Sequence, residues 1–218
     1  MATIAENLQA VRARIGAARG VTLLAVSKGQ GIERVKEASA AGQRAFGENY
    51  VQEALEKMDA LPGLEWHLIG PLQSNKTRLA AERFAWVQSL DRLKIAQRLS
   101  DQRPAELPPL NVLIQVNASQ ETSKSGVALA QVEALAAAVA ALPRLRLRGL
   151  MAIPEPGAPR ERYREVKSLF DSLREKFAWD TLSMGMSDDL ELAIAEGATL
   201  VRIGTAIFGQ RARERSAA

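Results

Sequence analysis

The chain contains no cysteine. Disulfides, thiol nucleophiles and cysteine-based metal sites are excluded together. Histidine occurs once, as His67. A histidine-rich zinc centre therefore cannot form, and a serine–histidine–aspartate triad would have to run through that one ring. No metal site is expected. Aromatic residues make up 5% of the chain, which offers no stacking platform for nucleic acid. No apolar run approaches the roughly 20 residues of a membrane-spanning helix. Residues 1–19 interleave Glu6, Arg12 and Arg14 with alanine and lack the apolar core of a secretory signal. A cytoplasmic location with no membrane partner is the expectation. The net charge is +4, but 29 Lys and Arg are scattered among 25 Asp and Glu. That pattern reads as a mixed solvated surface and not as a nucleic-acid face. What remains is lysine, carboxylate, hydroxyl or cofactor chemistry.

What is present is a regular alternation. The 218 residues are 47% hydrophobic and 25% charged, enough to bury a sizeable core. Ile4, Leu8, Val11 and Ile15 fall on one face of a helix over residues 3–19, stopped by Gly20. Apolar β-runs follow at residues 21–26, 44–46, 64–69, 85–90, 110–116, 145–153, 181–184 and 200–203. Helical stretches separate them at residues 32–41, 50–60, 74–83, 92–102, 129–141, 162–177 and 188–196, with a short tail helix after the last strand. Near-continuous apolar runs are the mark of parallel strands buried on both faces. Eight β-α units predict a (β/α)8 TIM-type barrel of the α/β class with an extra N-terminal helix; an open doubly wound sheet is the alternative. The proline-rich stretches around Pro108 and Pro156 are flanked by regular elements and read as loops. A single domain over residues 1–218 is expected.

In a barrel, function sits where strands end. Polar residues cluster, with glycines and a few others, where the successive strands end. The residues there are Lys28; Glu48, Asn49 and Tyr50; Gly70, Gln73, Asn75 and Lys76; Asn117, Lys124, Ser125 and Gly126; Met151 and Pro154; Gly185, Met186, Ser187 and Asp188; and Gly204 and Thr205. Phosphate in such barrels often binds at the last two of these loops, near helix N-termini. Ser187, Gly204 and Thr205 supply a hydroxyl, small residues and backbone N–H groups of the kind a dianion needs. Asp188 and Asp189 also suit ordinary helix capping. Lys28 shares one strand face with Leu24 and Val26, which delivers it to the barrel mouth. Lysine is seldom buried without a task, and desolvation makes an amine a better nucleophile toward an aldehyde. Lys28 and the phosphate loops together suggest a phosphate ester bearing an aldehyde, held at both ends. Gly29-Gln30-Gly31 has the look of a dinucleotide-binding turn, but Arg34 stands at the third glycine position and the fingerprint fails. His67 either reaches the site or is a hydrogen-bonded core residue.

Seven segments in order make the sequence recognisable. They are Leu24-Ala-Val-Ser-Lys28, Phe46-Gly-Glu-Asn-Tyr50-Val-Gln-Glu53, Trp66-His-Leu-Ile-Gly-Pro-Leu-Gln-Ser-Asn-Lys76, Ser123-Lys-Ser-Gly126, Gly149-Leu-Met-Ala-Ile-Pro154, Ser183-Met-Gly-Met-Ser-Asp-Asp189 and Arg202-Ile-Gly-Thr-Ala-Ile-Phe-Gly209. Together they resemble the pyridoxal phosphate homeostasis protein family (YggS/PROSC), over nearly the whole chain. The resemblance implies a barrel like the N-terminal domain of alanine racemase. It implies pyridoxal 5'-phosphate (PLP) carried as a Schiff base on Lys28. Ser187, Gly204 and Thr205 would bind its phosphate, Arg202 would sit at the pyridine nitrogen, and Asn49 would lie near the ring. Lys124 would be a second lysine near the phosphate or an alternative carrier. The family often has Thr-Lys-Pro after the Schiff-base lysine; Gly29-Gln30-Gly31 stands here instead, which suggests a looser loop. The implied role is vitamin B6 homeostasis, buffering PLP and delivering it to apo-enzymes, with no catalytic residues. The alternative is a weak racemase-like enzyme. Racemisation needs an acid–base group on each face of the cofactor; in the racemases the second comes from another domain and a partner subunit, and this chain is too short to contain that domain. A monomer is expected.

Overall fold

The apolar runs become short strands that pair only in parallel. In the computed structural model, which describes residues 2–16, 18, 20–119 and 125–210, they are β1 (Thr22–Val26), β2 (Ala45–Glu48), β3 (Glu65–Leu68), β4 (Trp86–Leu90), β5 (Leu110–Asn117), β6 (Val127–Ala128), β7 (Leu145–Ala152), β8 (Thr181–Ser183) and β9 (Leu200–Ile203). β1 lies between β2 and β9, and β4 pairs with β5. Those two pairings close a ring of eight strands and exclude the open sheet. The two-residue β6 is an addition to the expected set. It hydrogen-bonds to the end of β5, with Val116 opposite Val127, and hangs outside the ring.

The helices are α1 (Ile4–Ile15), α2 (Ile32–Ala40), α3 (Val51–Ala60), α4 (Thr77–Arg83), α5 (Leu93–Gln102), α6 (Val132–Ala140), α7 (Arg160–Phe177), α8 (Leu190–Ala195) and α9 (Thr205–Phe208). α1 starts at a capping box, in which Thr3 Oγ accepts from Glu6 N and Glu6 Oε2 accepts from Thr3 N. It ends at Ile15, earlier than the predicted 19, because Gly16 takes φ +61° there. Ile4, Leu8 and Val11 are buried, and Asn7 Nδ2 donates to Ile207 O at 2.9 Å, which ties α1 to α9.

Inside the ring, side chains fill the barrel in layers, as alternation along each strand requires. Leu24, Ala45, Ile69 and Leu200 form one apolar cluster, and Trp86, Leu113 and Met151 another. Four buried polar side chains share the interior with them: His67, Gln88, Ser183 and Arg202. β7 carries a bulge: Leu147 pairs with Val112 but Gly149 with Leu113. Only glycine fits at 149, where φ is +143° and a Cβ would fall 2.0 Å from Thr181 O.

Candidate functional site

The C-terminal ends of the strands surround a cavity of about 580 Å³. Lys28, Asn49, Ser187, Arg202, Gly204 and Thr205 all line it. The six residues singled out in the sequence therefore share one space, although they come from four strands spread over most of the chain.

Lys28 is half-buried and stands two residues past the end of β1. Its two neighbours are held by α3. Lys57 Nζ donates to Ser27 O at 2.7 Å, to Glu48 Oε1 at 2.6 Å and to Glu53 Oε1 at 2.8 Å. Ser27 Oγ donates to the same Glu48 oxygen at 2.6 Å. Gly29 N donates to Glu53 Oε1, and Gln30 N closes a turn onto Ser27 O at 3.0 Å. The loop that the glycines suggest is slack is thus tied on both sides of Lys28. Glu48, a strand-end candidate, is fully buried in this network and does not line the cavity. Burial pushes its carboxyl up, while Lys57 and Ser27 pull it back. Lys57 escapes a reading of strand ends altogether. Its one sequence signal is a lysine set in the apolar stripe of Val51, Ala54 and Met58.

Asn49 sits against Gly70. A Cβ at position 70 would lie 2.3 Å from Asn49 O, so only glycine lets these two loops touch. On the opposite wall, Ser187 Oγ accepts from Ala206 N at 3.3 Å, which joins the loop after β8 to the start of α9. Arg14 reaches across from α1, with Nη2 donating to Ser187 O at 3.0 Å. α8 begins at Leu190, two residues later than predicted, and has no side-chain cap. Asp189 instead folds the loop: Oδ1 accepts from Met186 N at 2.6 Å and Oδ2 from Tyr163 OH. Burial and Asp189 push the Tyr163 phenol up, so it stays protonated as that donor.

Arg202 is 4% exposed. Nη1 donates to Ser183 Oγ at 2.7 Å and Nη2 to Ala152 O at 2.8 Å. Burial lowers its pKa to about 10, which leaves it cationic at neutral pH. Among the described residues it has no ion pair. The six residues therefore present an amine, an amide, two hydroxyls, backbone N–H groups and a desolvated guanidinium around one space, with Ser125, Glu155 and Asp188 on the same lining.

Residues 1–212 match the family described as alanine racemase, N-terminal domain. The pyridoxal phosphate homeostasis protein of Pseudomonas aeruginosa is 60% identical, over 97% of this chain and 97% of that protein. The chain belongs to the pyridoxal phosphate homeostasis protein family. A solved structure of PipY from Synechococcus elongatus with PLP bound is 37% identical, with a TM-score of 0.86 over 95% of this chain and 100% of that one. Alanine racemase from Corynebacterium glutamicum shares the fold, with a TM-score of 0.79 at 19% identity; this chain covers 60% of its length.

Of the other strand-end residues of this family member, Gly70, Ser125, Pro154, Met186 and Asp188 also line the cavity, and the rest of those described stand away from it. Gln73, Asn75 and Lys76 do not line it, Met151 is packed in the barrel interior, and Tyr50 is 65% exposed. Lys124 lies outside the described residues. His67 faces the other end of the barrel, where it lines a cavity of about 300 Å³ with Glu65, Trp86, Arg148 and Asp180. It stacks on Trp86 at 5.0 Å between centroids and belongs to the interior, not to the upper cavity. Gln115, a polar residue in the apolar run of β5, lines the upper cavity and is an addition to the expected set. Among the described residues no group of three or more His, Cys, Asp or Glu could hold a metal, and no helix is long and apolar enough to cross a membrane.

Proposed function

We propose that this protein binds PLP in the upper cavity and serves PLP homeostasis by buffering the cofactor and delivering it to apo-enzymes. The observation that carries this is the meeting of Lys28, Arg202 and the Ser187–Gly204–Thr205 wall around one cavity of about 580 Å³. That volume lies in the ordinary range for small-molecule sites, roughly 300–1,000 Å³. The donors fit the cofactor group by group. When bound, the cofactor supplies an aldehyde that condenses with an amine. Lys28 is the residue that would hold it covalently. Ser187 and Thr205 hydroxyls and the backbone at Gly204 would bind the phosphate, Asn49 would border the ring, and Arg202 would donate to the pyridine nitrogen. A guanidinium has no proton to give up there, so it would leave the nitrogen unprotonated and the ring a poor electron sink. The PLP-bound structure of PipY and the name shared by the relatives support the same cofactor and role.

Delivery is favoured over catalysis because, among the described residues, no tyrosine stands at the cavity as the second acid–base group. Tyr163 is engaged by Asp189 and Tyr50 faces solvent. In this reading the protein is a single-domain, cytoplasmic monomer. PLP-loaded protein, freed of unbound cofactor, is to be mixed with an apo-enzyme that requires PLP, and separately with L-alanine. The expected result is recovery of the apo-enzyme's activity, with no D-alanine beyond that formed by free PLP. D-alanine formation that disappears in Lys28→Ala would establish the racemase alternative instead.

A further inference from the structure

Four hydrogen bonds, three of them buried and the last part-buried, run end to end through the barrel, from the upper cavity to the lower mouth. Arg202 Nη1 donates to Ser183 Oγ at 2.7 Å, and Ser183 Oγ donates to Gln88 Oε1 at 2.7 Å. Gln88 Nε2 meets His67 Nδ1 at 2.8 Å, and His67 Nε2 meets Glu65 Oε1 at 2.8 Å. The chain crosses β9, β8, β4 and β3 in turn.

One assignment of protons satisfies all four links. A guanidinium only donates, so Ser183 Oγ accepts from it and has one proton left. That proton goes to Gln88, whose near atom must be the carbonyl oxygen and whose far atom is the amide nitrogen. The amide nitrogen donates, so His67 Nδ1 is bare. The ring proton then sits on Nε2 and is donated to Glu65. Reversing the amide would place the proton on Nδ1 and turn the Nε2 lone pair toward a carboxylate. The other escape is a doubly protonated imidazole in a site only 1% exposed. The polarity of the chain is therefore dictated from Arg202.

We propose that Ser183, Gln88 and His67 are positioning residues for Arg202. With Ala152 O on Nη2, they hold the guanidinium in one orientation, with its remaining N–H groups available to the cofactor's ring nitrogen. They also carry the state of that contact across the barrel to His67. This inference rests on the PLP reading of the upper cavity. It adds that a buried cation with no carboxylate partner among the described residues is kept in register by charge-assisted hydrogen bonds to a hydroxyl and a backbone carbonyl.

His67 is the one histidine in the chain, so its ring nitrogens give unambiguous ¹⁵N NMR signals. In the protein without PLP, the neutral Nε2–H tautomer is expected. Adding PLP should shift both ring nitrogens, and Gln88→Met, which cuts the chain midway, should abolish that response. By visible absorbance titration, Ser183→Ala should bind PLP about ten-fold more weakly, the cost of one hydrogen bond to a charged group. Ser183→Thr, which keeps the hydroxyl, should restore binding. An Nδ1–H or doubly protonated ring would overturn the chain of donors. Unchanged affinity in Ser183→Ala, or a His67 shift that survives Gln88→Met, would overturn the positioning role. If the wild-type protein takes up no PLP, the cofactor reading and the positioning role fall together, and the tautomer alone decides the hydrogen-bond chain.

Discussion

A buried ammonium decides how the loop carrying Lys28 is held. Lys57 is 3% exposed and its Nζ contacts Glu48, Glu53 and Ser27 O at once. Removing one partner of such a pair strands the other charge without water. Lys57→Met is expected to destabilise the fold by about 3–5 kcal/mol in urea unfolding. Lys57→Met combined with Glu48→Gln should recover part of that loss, because the stranded carboxylate is gone. A loss below about 1 kcal/mol for Lys57→Met would mean the pair is no more than a surface contact. The difference in legibility between Lys28 and Lys57 has a physical origin. Lys28, Asn49, Ser187, Gly204 and Thr205 stand at strand ends, where period-2 patterning and chain order already place them at one mouth. Arg202 lies within β9 and was legible only through the family motif. Lys57 is defined by a partner on another element, and no local pattern names that partner.

At the level of elements, the chain of side chains from β9 to β3 makes His67 part of the barrel's structure. Burial holds its imidazole below the ordinary range, against the opposing pull of Glu65. The folded protein thus takes up this proton less readily than the unfolded chain, whose ring titrates near about 6.5. The stability that follows is fully present above that pH and is lost as pH falls below it, by up to about 1.4 kcal/mol per unit. The difference in unfolding free energy between wild type and His67→Asn isolates this slope from the other titrating groups. It should be flat above about pH 7 and shrink toward pH 5; a flat difference throughout would show that His67 titrates normally in the fold. Element boundaries were legible to within a few residues: α1 starts after Thr3 as expected, but it ends at Gly16 and not at the Gly20 that the sequence pointed to. They slipped at α8, because Asp189 binds the loop N–H of Met186 and not the helix it precedes. β6 was not legible, since two residues carry no periodicity.

At the scale of the whole molecule, closure of the ring between β4 and β5 is what gathers loops from residue 28 to residue 205 around one cavity. The count of eight apolar runs made that closure legible, whereas the internal hydrogen-bond chain depends on which faces meet after closing. A ligand that binds only the closed barrel must stabilise it. PLP at one hundred times its Kd should add about 2.7 kcal/mol, raising the melting temperature by several degrees, at roughly 2–4 °C per kcal/mol for a chain of this size. Lys28→Ala should show a much smaller rise. The central claim is tested most directly by reducing the PLP-loaded protein with borohydride and mapping the modified lysine by mass spectrometry. The expected result is a yellow protein whose label lies on Lys28, with both band and label absent from Lys28→Ala. A label on another lysine, or none at all, would contradict the assignment of the upper cavity.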